Sequence, residues 1–353
     1  MLVRSTAALA PLLLLAWAAA APQASAQDQP PDGPPPAAEP APEEGPPTIP
    51  DAAWAGLERK PVRLAHRFTA GQVLGQRIRQ RMELDQGALG HMTTDMVLTA
   101  AITTRAAGEE GVELELRYRD VVYELDANGQ TFALDTRDGT TSGNPVVDAL
   151  AGMVGVPLRM DTRPDGRVEK VTGAGKLVDA IVGRCPPEVG PQLRAQLEQN
   201  MNDDQLASTS QESLIVFPDR ELRPGDAWHR TYTAQIQPIG AVDYRADYVF
   251  LGTAVRDGVA QAKLLLRTRC RGVQARESLL QPGLTATMDM DAFEGTTSVW
   301  VRLADGALVE QEPLTLRFGL KIAAEGEVFE MRYHMIQSTA HAPEAEKPAP
   351  AGE

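Results

Sequence analysis

A serine nucleophile would need a sharp strand-to-helix turn of the Gly-x-Ser-x-Gly kind and a histidine to take its proton. The chain has no such pentapeptide, and Ser142 in Thr140-Thr141-Ser142-Gly143 reads as a loop. Metal sites need clustered ligands. His66, His91, His229, His334 and His341 each stand alone, with no His-x-x-x-His or His-Glu pair. Asp289-Met290-Asp291 with Glu294-Gly295 resembles a calcium loop, but Phe293 falls where an oxygen ligand belongs. Polar positions alternating with Met288 and Met290 account for it better. Asp203-Asp204 reads as first-turn acid favouring a helix dipole. No glycine-rich phosphate loop follows a strand, and the residues call for no metal and no cofactor. An enzyme is therefore not the expected reading, although spacing alone does not exclude a triad assembled in space.

Cysteine offers one pair, Cys185 and Cys270. In an exported chain the two could form a disulfide tying the middle of the chain to its second half. They fit equally well as two buried thiols, because Cys270 ends an apolar alternation. Methionine gives the remaining chemical hint. Met82, Met92, Met96, Met288, Met290, Met331 and Met335 all fall on strand-like runs, and most are on the apolar side. Methionine fills irregular space and suits surfaces that accept varied apolar ligands. A sheet lined this way and covered by helices would make a groove for an acyl chain, with Met92, Met96, Leu114, Leu150, Met153 and Leu197 as candidate contacts. The competing reading is an ordinary core, since every half-exposed sheet buries one face.

The elements that must position these residues are mostly strands. Met92 to Ile102, Val112 to Tyr118, Tyr244 to Phe250, Leu264 to Cys270, Leu314 to Ile322 and Phe329 to Met335 alternate with a period of two. One charged and one apolar face is the mark of antiparallel sheet with one side wet. Asn128-Gly129, Asp138-Gly139, Pro164-Asp165-Gly166, Asp257-Gly258 and Asp305-Gly306 supply hairpin turns. Helical signals collect in the middle. Asn144-Pro145 opens a stripe of Val146, Val147, Leu150 and Met153, and Leu177, Val178, Ile181 and Val182 form another. Pro186 or Pro187 opens a third, with Val189, Leu193, Leu197 and Met201, and a further helix is expected from about Asp203. The order is α+β: mostly antiparallel curved sheet with a helical insert at about 144–212. A weak repeat relates Phe68-Thr-Ala-Gly-Gln-Val-Leu74 to Leu222-Arg-Pro-Gly-Asp-Ala-Trp228, so the sheet could consist of two similar halves, 54–212 and 213–339.

With 353 residues, 48 acidic and 34 basic, the chain carries a net charge of -14. That argues against a nucleic-acid or anionic-membrane surface. Arg4, the Ala- and Leu-rich run from Ala7 to Ala21, and Ala24-Ser25-Ala26 read as a signal peptide, residues 1–26, cleaved after Ala26. The expected address is periplasmic or secreted, and no later stretch is long and apolar enough to span a membrane. Residues 27–53 form a proline-rich linker, with ten prolines between Gln27 and Pro50, and 340–353 repeat that composition.

Gly155-Val-Pro-Leu158 leading into Asp161-Thr-Arg-Pro-Asp-Gly-Arg167-Val-Glu-Lys-Val171, together with the Phe68 segment and Phe217-Pro218 before Arg223-Pro-Gly-Asp-Ala-Trp228, resembles an uncharacterised family of exported bacterial proteins. That resemblance implies export and a β-rich body, and carries no catalytic residue. A looser, architectural likeness is to periplasmic lipoprotein carriers, whose open half-barrels hold acyl chains under a helical lid. Three readings follow. The first is a non-enzymatic protein binding a lipid or other apolar ligand. The second is a structural or adaptor protein of the envelope working through protein contacts. The third is a hydrolase with an unrecognised site.

Overall fold

The structure, a computed structural model, describes residues 47–87, 90–210, 214–236, 240–273, 285–289, 294–324 and 327–342. The expected signal peptide, most of the linker, most of the tail and the middle of the calcium-like loop lie outside them.

Among the described residues thirteen strands form one sheet. They are β1 (Val73–Asp85), β2 (His91–Ala107), β3 (Val112–Ala127), β4 (Gln130–Asp135), β5 (Pro157–Thr162), β6 (Val168–Thr172), β7 (Ala227–Ile236), β8 (Gly240–Arg256), β9 (Val259–Val273), β10 (Thr285–Asp289), β11 (Glu294–Arg302), β12 (Leu308–Ala324) and β13 (Glu327–Ala342). The main path is β6-β5-β3-β2-β1-β13-β12-β11-β9-β8-β7, with β4 on β3 and β10 on β12. Every pairing between these strands is antiparallel. Asn128-Gly129 and Asp257-Gly258 adopt the positive φ that two-residue hairpin turns require, at 55° and 83° and at 50° and 75°.

Four helices lie between β4 and β7: α1 (Pro145–Ala149), α2 (Ala174–Val182), α3 (Gly190–Asn200) and α4 (Asp203–Ser210). Asn144 caps α1, its Oδ1 accepting from the Val146 and Val147 amides at 3.0 and 3.4 Å. A 3-10 turn, Leu150–Met153, continues it. These helices make the insert expected at about 144–212. It also holds the β5–β6 hairpin, because Leu158, Met160 and Thr162 alternate inward and Pro164-Asp165-Gly166 turns the chain back. Neither Pro186 nor Pro187 opens a helix. The amides of Val189 and Gly190 bond the Pro186 carbonyl in a turn, and α3 begins at Gly190 with Pro191 in its first turn. At the other end β13 pairs as far as Ala342, three residues past Thr339.

The lead-in repeat has a structural counterpart. Gly71 donates to the Thr104 carbonyl and Thr104 returns a bond to Gln72. In the second half Gly225 donates to Phe250, and Phe250 returns a bond to Asp226. Strands β1-β2-β3-β5-β6 and β7-β8-β9-β11-β12 then follow the same order of neighbours. Strand β13 stands between β1 and β12. At the two free edges of the path, α4 touches both β6 and β7.

Most buried apolar side chains form one continuous cluster from the sheet's inner face and the helices. A small second cluster, Val249, Leu251 and Leu265, lies on the outer face under Ile49, Ala53, Trp54 and Leu57 of the incoming chain.

Candidate functional site

The alternation in β1 sets the site. Arg77, Arg79 and Arg81 point outward, so Leu74, Gln76, Ile78, Gln80, Met82 and Leu84 point inward. Strand register then gives the neighbours on that inner face. Gln80 is flanked by Met96 on β2 and Gln337 on β13, and Gln337 by Leu314 on β12. One row toward the start of β1, Leu98, Ile78, Thr339 and Gln311 line up. One row the other way stand Thr94, Met82, Met335 and Leu316. Gln76, Gln80, Gln337, Thr94 and Thr339 are each no more than 2% exposed.

These five side chains hold polar atoms with no hydrogen-bond partner among the described residues. They are both amide atoms of Gln76 and of Gln337, Gln80 Oε1, Thr94 Oγ1 and Thr339 Oγ1. The Gln80 amide nitrogen donates only to the Met335 sulfur, at 2.8 Å, and sulfur is a weak acceptor. Each unmet buried group costs about 1–3 kcal/mol. A cluster of them rivals a domain's whole net stability of about 5–15 kcal/mol. Such a strip is chemically equipped to donate to, and accept from, a polar group placed among apolar side chains.

All six sequence-predicted contacts are buried in the main cluster: Met92, Met96, Leu114, Leu150, Met153 and Leu197. Only Met96 stands in the rows of the strip, opposite Gln80, with Met92 one row beyond, opposite Leu84. Leu114 lies between Thr104 and Met160, toward the β5 side, and Leu150, Met153 and Leu197 belong to the 3-10 turn and α3. The strip itself was missed. Its signal was glutamine at inward parity in β1 and β13, set against arginines at outward parity.

A groove of about 390 Å³ opens at the end of the sheet where β1 begins and β13 ends. Leu74, Gln76, Gln261, Leu308, Arg256 and Glu310 are among its lining, so Gln76 belongs to both the groove and the strip. Arg256 lies over the Trp300 ring at 4.3 Å and bonds Glu310 at 2.8 Å.

Other chemically capable residues have structural partners. Ser142 Oγ donates to Asp148 at 2.8 Å, next to the α1 cap. Asp203 accepts from the Ala174 amide at 2.9 Å, capping α2 from the start of α4. His66 bonds the Ile215 carbonyl at 2.7 Å and packs against Phe68 and Phe217. Burial brings its pKa down to about 4, outweighing that bond, which favours the protonated ring. Cys185 and Cys270 are not bridged: both keep their thiols, and burial pushes the Cys185 pKa up. The disulfide reading is therefore not what the structure shows. Among the described residues no three His, Cys, Asp or Glu side chains come together as metal ligands. No described helix is long and apolar enough to cross a membrane.

A family model described as a family of unknown function, DUF6263, matches residues 109–261. That span holds the helices and the middle strands but neither Gln76, Gln80 nor Gln337. No curated protein matches the chain. Among solved structures, one of lipovitellin, concerned with its lipid–protein interactions, is similar at 11% identity and a TM-score of 0.43. The alignment covers 81% of this chain and 27% of that one, so this chain spans about a quarter of lipovitellin. The hypothetical lipoprotein YmcC from Escherichia coli is similar at 11% identity, with 74% and 85% covered and a TM-score of 0.22. An outer membrane channel from Pseudomonas putida F1 gives 9%, 79%, 98% and 0.21. At these scores the likenesses carry no argument about function.

Proposed function

We propose that this is an exported, non-catalytic protein that binds an apolar molecule carrying a polar group, held against the inner face of the sheet around β1 and β13. The observation that carries the reading is the strip of buried amides and hydroxyls without protein partners, set among Met82, Met96, Leu98 and Leu316. Amides in such surroundings are stable only when something answers them. Export rests on the signal-like residues 1–26 and places the protein in the periplasm or outside the cell.

The test is native mass spectrometry of residues 27–353 purified without detergent from an exporting host. An added mass that organic extraction removes is expected. Replacing the facing pair, Gln80→Leu with Gln337→Leu, should abolish the added mass. It should also stabilise the ligand-free protein by about 2–6 kcal/mol, at about 1–3 for each of the two unmet amides that disappear. A wild-type protein with no added mass, combined with a double variant that is less stable, would mean that the strip holds only structural water, and the reading would fail.

A further inference from the structure

The charge pattern around the strip narrows the ligand's chemistry, given the binding role just proposed. On the inner face of β1, β2, β13 and the described part of β12, the polar positions are glutamine and threonine, with the Tyr333 hydroxyl beyond Met335 and His341 at the exposed rim. No Lys, Arg, Asp or Glu stands there among the residues whose side chains are described. The charged residues that the described fold does bury, Glu115, Arg245, Asp247 and Arg269, all stand at outward positions. Glu115 is held by Arg105 and Arg117, and Asp247 by Arg245, Arg267 and Arg269. The inward cation on β7, Arg230, is opposite Ala246 on an edge strand six places from β1 along the sheet path, in the field of Asp165 and Arg167.

An anionic head buried at the strip would lack a counter-charge, and an unpaired buried carboxylate or phosphate is strongly disfavoured. An amide has the opposite preference. It offers a donor and an acceptor side by side, which a hydroxyl or another amide answers completely. We infer that the site takes an uncharged amphipath whose head carries hydroxyl or amide groups, entering by the rim groove where Gln76 joins the strip. Ionised fatty acids and phospholipids are excluded by the same chemistry.

The experiment is competition for the extracted full mature chain between 1-monooleoylglycerol and oleate, which share an acyl chain and differ in head charge. At about pH 8, monooleoylglycerol should bind at least about ten-fold more tightly, and the gap should narrow at about pH 5 as oleate takes up its proton. The Gln80→Leu and Gln337→Leu double variant should lose that preference while remaining folded by circular dichroism. Oleate binding as tightly as monooleoylglycerol at the higher pH would overturn the inference, pointing to Arg230 as its counter-ion, and leave the binding role standing. If neither lipid binds, and the unextracted wild type carries no added mass, the binding role itself is wrong.

Discussion

Gln80 and Gln337 face one another across β1 and β13, which makes them both the proposed recognition pair and a local weakness. Their replacement by leucine separates those two properties, as set out above. His66 shows a different cost. Folding holds its ring neutral, with the pKa lowered from 6.5 to about 4. Above that unfolded value neither state carries the proton, and the group contributes no pH dependence. As pH falls from 6.5 toward 4, the unfolded chain binds a proton that the folded chain refuses, so stability declines. By pH 5 the loss should be about 1–2 kcal/mol, and His66→Gln should flatten it, as urea unfolding near neutrality and near pH 5 would show. At the helix start, Asn144→Ala should cost about 1 kcal/mol in the same assay, because two α1 amides lose their acceptor.

Among the elements, close approach decides more than propensity. Gly152 in the 3-10 turn lies against α2, where a Cβ would collide with the Ala180 carbonyl. Gly152→Ala should cost about 1–3 kcal/mol in urea unfolding by pushing that turn off the helix. A side chain on Gly75 would likewise meet the Ala342 carbonyl and fray the end of β13. Much of the element order was legible in the sequence. Alternation marked the long strands, Asn128-Gly129 and Asp257-Gly258 marked hairpins, and Asn144-Pro145 marked α1. Short pieces were harder. Pro164-Asp165-Gly166 marked the turn of the β5–β6 hairpin, but a five-residue strand among helices leaves too little periodicity to fix its bounds. Pro186 looked like a helix start because proline serves equally in the turn it actually forms. The site was half legible for a related reason. Met92 and Met96 announce an apolar face, but a glutamine at inward parity becomes informative only once β13 is known to be its neighbour.

At the scale of the whole molecule, the repeated lead-in turns and matching strand order describe a sheet built twice, with β13 as the surplus strand beside β1 and α4 across the two free edges. Adjacent strands elsewhere in the sheet lie much closer in sequence than β1 and β13. Gly75 meets Ala342 about 270 positions later, whereas β2–β3 and β8–β9 close over short turns. Closing so long a loop costs about 3 kcal/mol more than closing a hairpin. The β1–β13 ladder should therefore be the last to form and the first to open. Its amides should exchange hydrogen sooner than those of β2–β3, and bound ligand should slow them selectively. The amide strip lies on this ladder, so the proposed binding face would be assembled in the final step of folding. A molecule bound there would hold the two ends of the chain together, so occupancy of the strip and the integrity of its weakest ladder would rise and fall as one.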